Sequence, residues 1–457
     1  LVANRFVEGR ADGWAYHDVV REQFLRYQCK ASPAAWTALH EALAAYYRAM
    51  RDELATDAKE GADNSRWREA TREELYHRLC ARPDGALAGA LNEIAGALDG
   101  YWDLAQEWAE TMDKAGHDAT HDGLQGWGVT LRNGLKAISD KDYEVSMKAF
   151  SQLLEWSKLN MLHRPSVLAL RGGTNISLKR YEVALVDFNE AIKLDPKYAK
   201  AVIGRGLVKL AQERYEEALT DLNFAVELDA KAASAIAQRG LVNRILERHE
   251  AALVDYNHAV ELDPKSAWAI AGRGETYYLL GRYDEAMNDF ERAIELDPIR
   301  MPNLIIDSRG QANLFMKRYE AALADFDQII KLNSKDAVTI TLRGLAYQAL
   351  GRYEEALADF NRVIELNPKD AITISFRGLS YQALEHYDEA LTDFNRSIEL
   401  NPDDPDVIYG RGDLHRLMEH YDRALADFDR AIELNPTLDW AIASRGETYR
   451  LMERYDA

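Results

Sequence analysis

The stretch Arg343-Gly344-Leu345-Ala346-Tyr347-Gln348-Ala349-Leu350 returns 34 positions later as Arg377-Gly378-Leu379-Ser380-Tyr381-Gln382-Ala383-Leu384. The same Arg-Gly pair opens at Arg171, Arg205, Arg239, Arg273, Arg309, Arg343, Arg377, Arg411 and Arg445, always 34 residues apart except for one step of 36. Around each pair a skeleton recurs: a tyrosine nine residues after the glycine, an alanine three later, an aromatic residue or leucine four beyond that, and a closing Asp or Asn usually followed by proline. A fixed period of this length governs the fold before any single residue does.

Each unit reads as two antiparallel helices. In residues 371–402 the first helix is expected over Ala371 to Leu384 and the second over Tyr387 to Leu400, separated at Glu385-His386. Apolar Ala390, Leu391, Phe394 and Ile398 recur at helical spacing on the second. Asn401-Pro402 ends it, because proline has no amide proton and disfavours helix in the residue before it. Helices of about fourteen residues cannot bury an apolar face alone, so neighbouring units must stack. Gly172 and Ala184, with their equivalents, are expected to let the two helix backbones approach closely, since a helical glycine otherwise costs roughly 1 kcal/mol against alanine.

On these residues, 165–457 resembles tetratricopeptide repeats, with full repeats starting at 165, 199, 233, 267, 303, 337, 371 and 405 and a ninth, opening at Asp439, cut short. The resemblance implies an all-α fold, a right-handed superhelix of helical hairpins. Ala230 and Ser334 depart from the pattern at the proline and His249 at the tyrosine, while two extra residues between Pro298 and Pro302 predict a local fault. Residues 127–164 read as a degenerate hairpin of the same kind, because Gly134 and Tyr143 keep the nine-residue spacing. Residues 61–126 read as a helical connector, with helices over Ser65 to Ala81, Ala86 to Leu98 and Gly100 to Ala115 and polar breaks at Asp57 to Asn64 and Gly116 to Gly123.

The first sixty residues differ in character. Arg5-Phe6-Val7 and Trp14-Ala15-Tyr16 flank Asp12-Gly13, a hairpin signal. A helix from about Asp18 to Tyr27 follows, and Ser32-Pro33 starts another. Tyr16-His17-Asp18-Val19-Val20-Arg21-Glu22 is similar to the His-Asp motif in the winged helix of STAND ATPases, relatives of the animal apoptosome and plant resistance proteins. That resemblance implies a winged-helix remnant over 1–60 in which His17, and more weakly Asp18, sense a nucleotide in the intact protein. Tyr16 departs from the usual first motif residue, and a simple hairpin-to-helix junction is the competing reading of His17. The phosphate-cradling Gly-x-x-x-x-Gly-Lys-Ser/Thr loop is not in the sequence, so an ATPase module would lie before Leu1. Leu1 is no initiator methionine and no signal peptide follows it, so a fragment is expected.

Composition narrows the function classes. Lys plus Arg number 56 against 76 Asp plus Glu, a formal charge of -20, which argues against a phosphate-neutralising nucleic-acid surface. The most apolar window, Ala86 to Leu98, is short and contains Glu93, so no membrane span is expected. Two cysteines, Cys29 and Cys80, suit a reducing cytoplasm. His117-Asp118-Ala119-Thr120-His121-Asp122 places two histidines four apart, yet it lacks a cysteine or a His-Glu-x-x-His frame and is expected to be a solvated linker, with no metal. Neither a nucleophile elbow nor a protease-type cysteine is present, so no enzyme activity and no cofactor are expected.

Two candidate sites remain. Every full repeat carries an aspartate sixteen residues after its arginine, including Asp359 after Arg343 and Asp393 after Arg377. These arginines are either a ladder for an acidic partner or structural ion pairs between the two helices, and the recurrent aspartate favours the pairs. The family resemblance further implies that the first helices line the concave surface, with positions 2, 5, 9 and 12 of each unit facing a ligand. Those positions supply Trp268, Glu275, Tyr278, Leu304, Asp307, Gln311, Gln348, Gln382, Tyr409, Asp413 and Arg416, with Leu345 and Leu379 among them. This mixture of apolar and polar groups suits a protein or peptide segment. The chaperone-tail clamp of some relatives is not reproduced, since Ala169, Gly173 and Gly204 occupy its slots. The functional expectation is the ligand-sensing arm of a STAND-type ATPase, oligomerising through the upstream module. Its ligand is an invader's protein or an endogenous regulator, and the alternative is a constitutive assembly scaffold without a nucleotide switch.

Overall fold

The computed structural model describes residues 7–10, 13–16, 27–54, 64–99 and 101–452. His17, Asp18, the expected helix start at Asp18 and most of the break at Asp57 to Asn64 lie outside these residues. Apart from one antiparallel strand pair, Val7–Arg10 with Gly13–Tyr16 in the register Val7 to Tyr16, the described chain is helical. It divides into two compact units, Leu1–Leu246 and Glu247–Ala457.

In the first unit the helices Pro33–Leu54, Ser65–Ala81, Pro83–Ala97 and Trp102–Asp118 precede a hairpin of Asp122–Ser139 with Tyr143–Glu155. Repeats over 165–232 and the helix Ala233–Ile245 follow. One apolar core runs from Trp36 and Trp67 through Leu91, Ile94 and Phe150 to Phe188. The supposed linker at His117 is a correction: helix continues to Asp118, and only 119–121 separate it from the next. Asp118 is buried and accepts a 2.6 Å hydrogen bond from the Tyr76 hydroxyl. His121 caps the next helix, accepting from the Leu124 amide at 3.0 Å, with its Nε2 3.1 Å from Asp84. No cluster of His, Cys, Asp and Glu fit for a metal occurs among the described residues.

The second unit alternates first helices (Ala267–Leu279, Met301–Phe315, Ala337–Ala349, Ala371–Ala383, Pro405–Leu417, Asp439–Leu451) with second helices beginning at His249, Tyr283, Tyr319, Tyr353, Tyr387 and Tyr421. Within a repeat the turn closes on a left-handed residue, Gly281 and Gly351 in two cases and Lys317, Glu385 or Glu419 in others. Between repeats an Asp or Asn carboxyl or amide oxygen takes the amide two residues on, as Asn367 does from Lys369 at 3.3 Å. This explains why the turn survives where proline is replaced. Asp229 still takes the Lys231 amide at 3.0 Å and Asn333 the Lys335 amide at 3.3 Å.

The recurring arginine ties three helices. Arg377 donates Nε and Nη2 to both oxygens of Asp393 at 2.7 and 2.6 Å, and Nη1 to Asn361 at 2.6 Å. Asn361 belongs to the second helix of the preceding repeat. Arg343 repeats the pattern with Asp359 at 2.8 and 2.6 Å and Asp327 at 2.6 Å. The planar fork matches a carboxylate on one edge and leaves its other edge for the neighbouring repeat. Asp359 and Asp393 are buried. At the 36-residue step the stitch fails: the position equivalent to Asn361 is Glu291, and Arg309 bonds Asp325 but nothing of the preceding repeat among the described residues.

The glycine beside the arginine meets an aromatic ring of the second helix at Gly172, Gly274, Gly310, Gly344 and Gly412, and Leu222 with the Ala218 carbonyl at Gly206. A Cβ on Gly344 would sit 2.5 Å from the Phe360 ring, whereas at Gly446 nothing among the described residues lies within 4 Å. Both glycines are helical, so alanine at 446 gains propensity without a clash.

Three outcomes follow from this packing, read as urea unfolding midpoints followed by circular dichroism. Arg377→Met strands a buried carboxylate and lowers stability by about 3 kcal/mol, whereas adding Asp393→Leu restores most of the loss. Gly344→Ala destabilises by about 1–2 kcal/mol, while Gly446→Ala is neutral or stabilising by up to about 1 kcal/mol. The third concerns pH. His40 is buried, with Nδ1 2.7 Å from Nδ1 of His77, and burial followed by the His77 charge pushes it down from 6.5 to about 4. Its unfolded form takes up a proton first as pH falls, so stability present above pH 6.5 is lost progressively towards pH 4, by up to about 3 kcal/mol. His40→Leu removes that slope.

Candidate functional site

Within the second unit, successive first helices approach one another more closely than successive second helices do, which puts the first helices on the inner side of the stack. Positions 2, 5, 9 and 12 advance by three, four and three residues and so share one face of each helix. The structure brings most of the candidate residues together there, bonded to each other across adjacent repeats. Tyr278 donates its hydroxyl to Gln311 at 2.7 Å, and the Gln311 amide donates to Asp307 at 3.0 Å. Gln348 donates to the Phe376 carbonyl and Ser380 hydroxyl at 3.2 and 3.1 Å. Gln382 donates to Asp413 at 3.0 Å, and Arg416 pairs with the other oxygen of Asp413 at 2.6 Å. Tyr409 meets Ser444 at 3.4 Å, and Thr341 meets Thr373 at 3.1 Å. Burial, then Tyr283 and Asp307, pushes the Tyr278 phenol up, which keeps it a donor.

Sequence reading missed Ser380, Thr373 and Ser444, small hydroxyls outside positions 2, 5, 9 and 12, and did not name Thr341 although it stands at position 5. It also missed Asn361 and Asp327, although a signal was present: an Asn or Asp stands two residues after most of the recurring aspartates. Tyr347 and Tyr277 likewise lie between two guanidinium groups, with Arg352 4.5 Å and Arg343 5.8 Å from the Tyr347 ring.

Beside the polar ladder runs an apolar edge. Leu304, Val338, Ile372 and Trp440, all at position 2, are exposed by 52, 68, 58 and 51%. Trp268 heads this row, half-buried with its ring 6.4 Å from Tyr256. A pocket lies between Trp268 and Leu304, bordered by Lys265, Leu296, Arg300 and Met301. Glu275 is partly buried, and Asp307 is exposed. Such a surface combines hydrogen bonds made between repeats with an exposed apolar edge, and no cluster of metal-ligating residues occurs among the described residues. No helix among the described residues is long and apolar enough to cross a membrane.

The tetratricopeptide repeat model matches residues 267–299, 337–370, 372–404 and 405–438, and further models of the same repeat match 176–235, 240–281 and 307–336. Among solved structures, a tetratricopeptide repeat protein from Parabacteroides merdae is 20% identical, with 55% of this chain and 98% of that one covered at a TM-score of 0.41. Pseudomonas aeruginosa PilF is 19% identical, covering 48% of this chain and 98% of its own at a TM-score of 0.39. YrrB, described as a TPR protein with an unusual peptide-binding site, is 22% identical, with 49% and 97% covered at a TM-score of 0.27. No curated protein matches the sequence. With its repeats matched from 176 to 438, its paired helices and its unpartnered inner face, the chain belongs to the tetratricopeptide repeat family, whose members build protein-interaction scaffolds.

Proposed function

We propose that the first-helix face of residues 267–451 docks a segment of another protein and that this docking is what the chain does. The observation that carries the reading is the row Leu304, Val338, Ile372 and Trp440, half or more exposed on consecutive repeats save one. An apolar row of this length rimmed by polar groups marks an interaction surface. Trp268, Glu275, Tyr278, Asp307 and Tyr409 border it, and Gln311, Gln348, Gln382, Asp413 and Arg416 hold the wall in shape.

A finer reading places this surface in the ligand-sensing arm of a STAND-type ATPase, where ligand capture shifts an inactive state towards an oligomerising one by differential affinity. The antiparallel hairpin Val7–Tyr16 is the structural feature consistent with a winged-helix end, beside the resemblance at His17 and Asp18. Sequencing the reading frame upstream of Leu1 discriminates the two: a phosphate-loop motif there would favour this role, and its absence a standing scaffold.

Panning a displayed peptide library on the chain tests the docking face. Selected peptides are expected to compete with one another and to lose at least tenfold in affinity on Ile372→Asp or Val338→Asp, side chains exposed enough for the fold to tolerate the change. Binders indifferent to both substitutions, or no binders at all, would overturn the assignment.

A further inference from the structure

Resting on the docking face just proposed, we infer that its ligand is a peptide in the polyproline II conformation with an apolar side chain at every third residue and a basic one at the rung facing Asp406. Three observations lead there. Most of the polar middle of the wall is tied up within itself, Gln348 with Ser380, the Gln382 amide nitrogen with Asp413 and Tyr278 with Gln311, while the buried Gln382 Oε1 has no partner among the described residues. Ligand affinity therefore comes chiefly from the apolar edge.

The edge also has a pitch. Adjacent first helices lie close enough for the short side chains of Thr341 and Thr373 to meet at 3.1 Å, so their axes fall in the usual range of about 8–10 Å. Three residues of polyproline II chain make one full turn and advance about 9 Å, so every third side chain returns to the same face, whereas a β-extended chain alternates faces and turns every second apolar group of a three-residue spacing away. Two residues advance roughly 7 Å and four roughly 13 Å, and both drift out of step within two rungs. Only a three-residue repeat meets Leu304, Val338 and Ile372 in succession.

The edge carries a charge at one defined place. Position 2 runs Trp268, Leu304, Val338, Ile372, Asp406 and Trp440, so the fifth rung alone is acidic. Asp406 is exposed in the first turn of its helix, and no ion pair to it occurs among the described residues. Asp307, also exposed and close to the second rung, adds to the negative field. A lysine or arginine opposite Asp406, flanked three residues either side by apolar groups, completes the match.

Synthetic fluorescein-labelled peptides built from Pro-Pro-Leu triplets, with arginine replacing the fifth leucine, test this by anisotropy against the full chain. The triplet peptide is expected to bind at least tenfold more tightly than isomers of equal composition with leucine at every second or fourth residue. Asp406→Arg should weaken the arginine peptide about tenfold and favour one carrying glutamate at that slot. Equal binding of the isomers overturns the three-residue pitch, and indifference to Asp406→Arg overturns the charge assignment. If none of these peptides binds while library-selected peptides still depend on Ile372, the inference falls and the docking face stands. If the library also yields nothing, both fall.

Discussion

The structure depends on a guanidinium held between two second helices. Where the 34-residue step is kept, as at Arg205, Arg273, Arg343, Arg377 and Arg411, the arginine places one edge on a buried aspartate of its own repeat and the other on an Asn or Asp of the repeat before, so Arg377 joins Asp393 to Asn361. A buried carboxylate is tolerable only with its partner in place, because the desolvation cost of the unpaired charge exceeds what packing returns. The pair therefore fixes the angle between the helices of one repeat and the spacing to the next. Lysine, a point donor without a second edge, could not do both. The aromatic ring packed over the adjacent glycine works on the same seam, since its volume leaves no room for a Cβ at Gly344.

This stitching has a consequence on the opposite side of the first helices. With their outer side committed to the second helices, these helices present positions 2, 5, 9 and 12 inward. There, hydroxyls, amides and carboxylates from neighbouring repeats find each other before any ligand arrives. What is left is the apolar edge from Trp268 to Trp440. The two-residue insertion before Met301 interrupts the stitch at Arg309 and coincides with the pocket between Trp268 and Leu304, the one rung where spacing departs from the period.

The first unit obeys a different logic. Its tryptophans and leucines make one continuous core, and its polar groups are used singly, as where Asp118 takes the Tyr76 hydroxyl or His121 caps a helix. Without a period, the Asp118–Tyr76 and His121–Asp84 contacts join residues 42 and 37 positions apart that no local pattern pairs. A glycine-flanked polar run there reads as a loop, yet helix continues through Gly116 to Asp118 because neighbouring helices pack around it and supply the partners its polar groups need.

From the sequence alone came the 34-residue period, the helix pairs, their terminators and the Arg–Asp pairing, since each is a local pattern repeated until chance is excluded. The inward positions were legible too, by resemblance. Tertiary structure alone decided that Gln348 bonds Ser380, Gln382 bonds Asp413 and Tyr278 bonds Gln311, that Thr341 meets Thr373, and that the second edge of Arg377 reaches back a repeat. The physical reason is that a period states which residues are equivalent, whereas a hydrogen bond between stacked repeats depends on a distance of a few ångströms that arises only when the helices have packed.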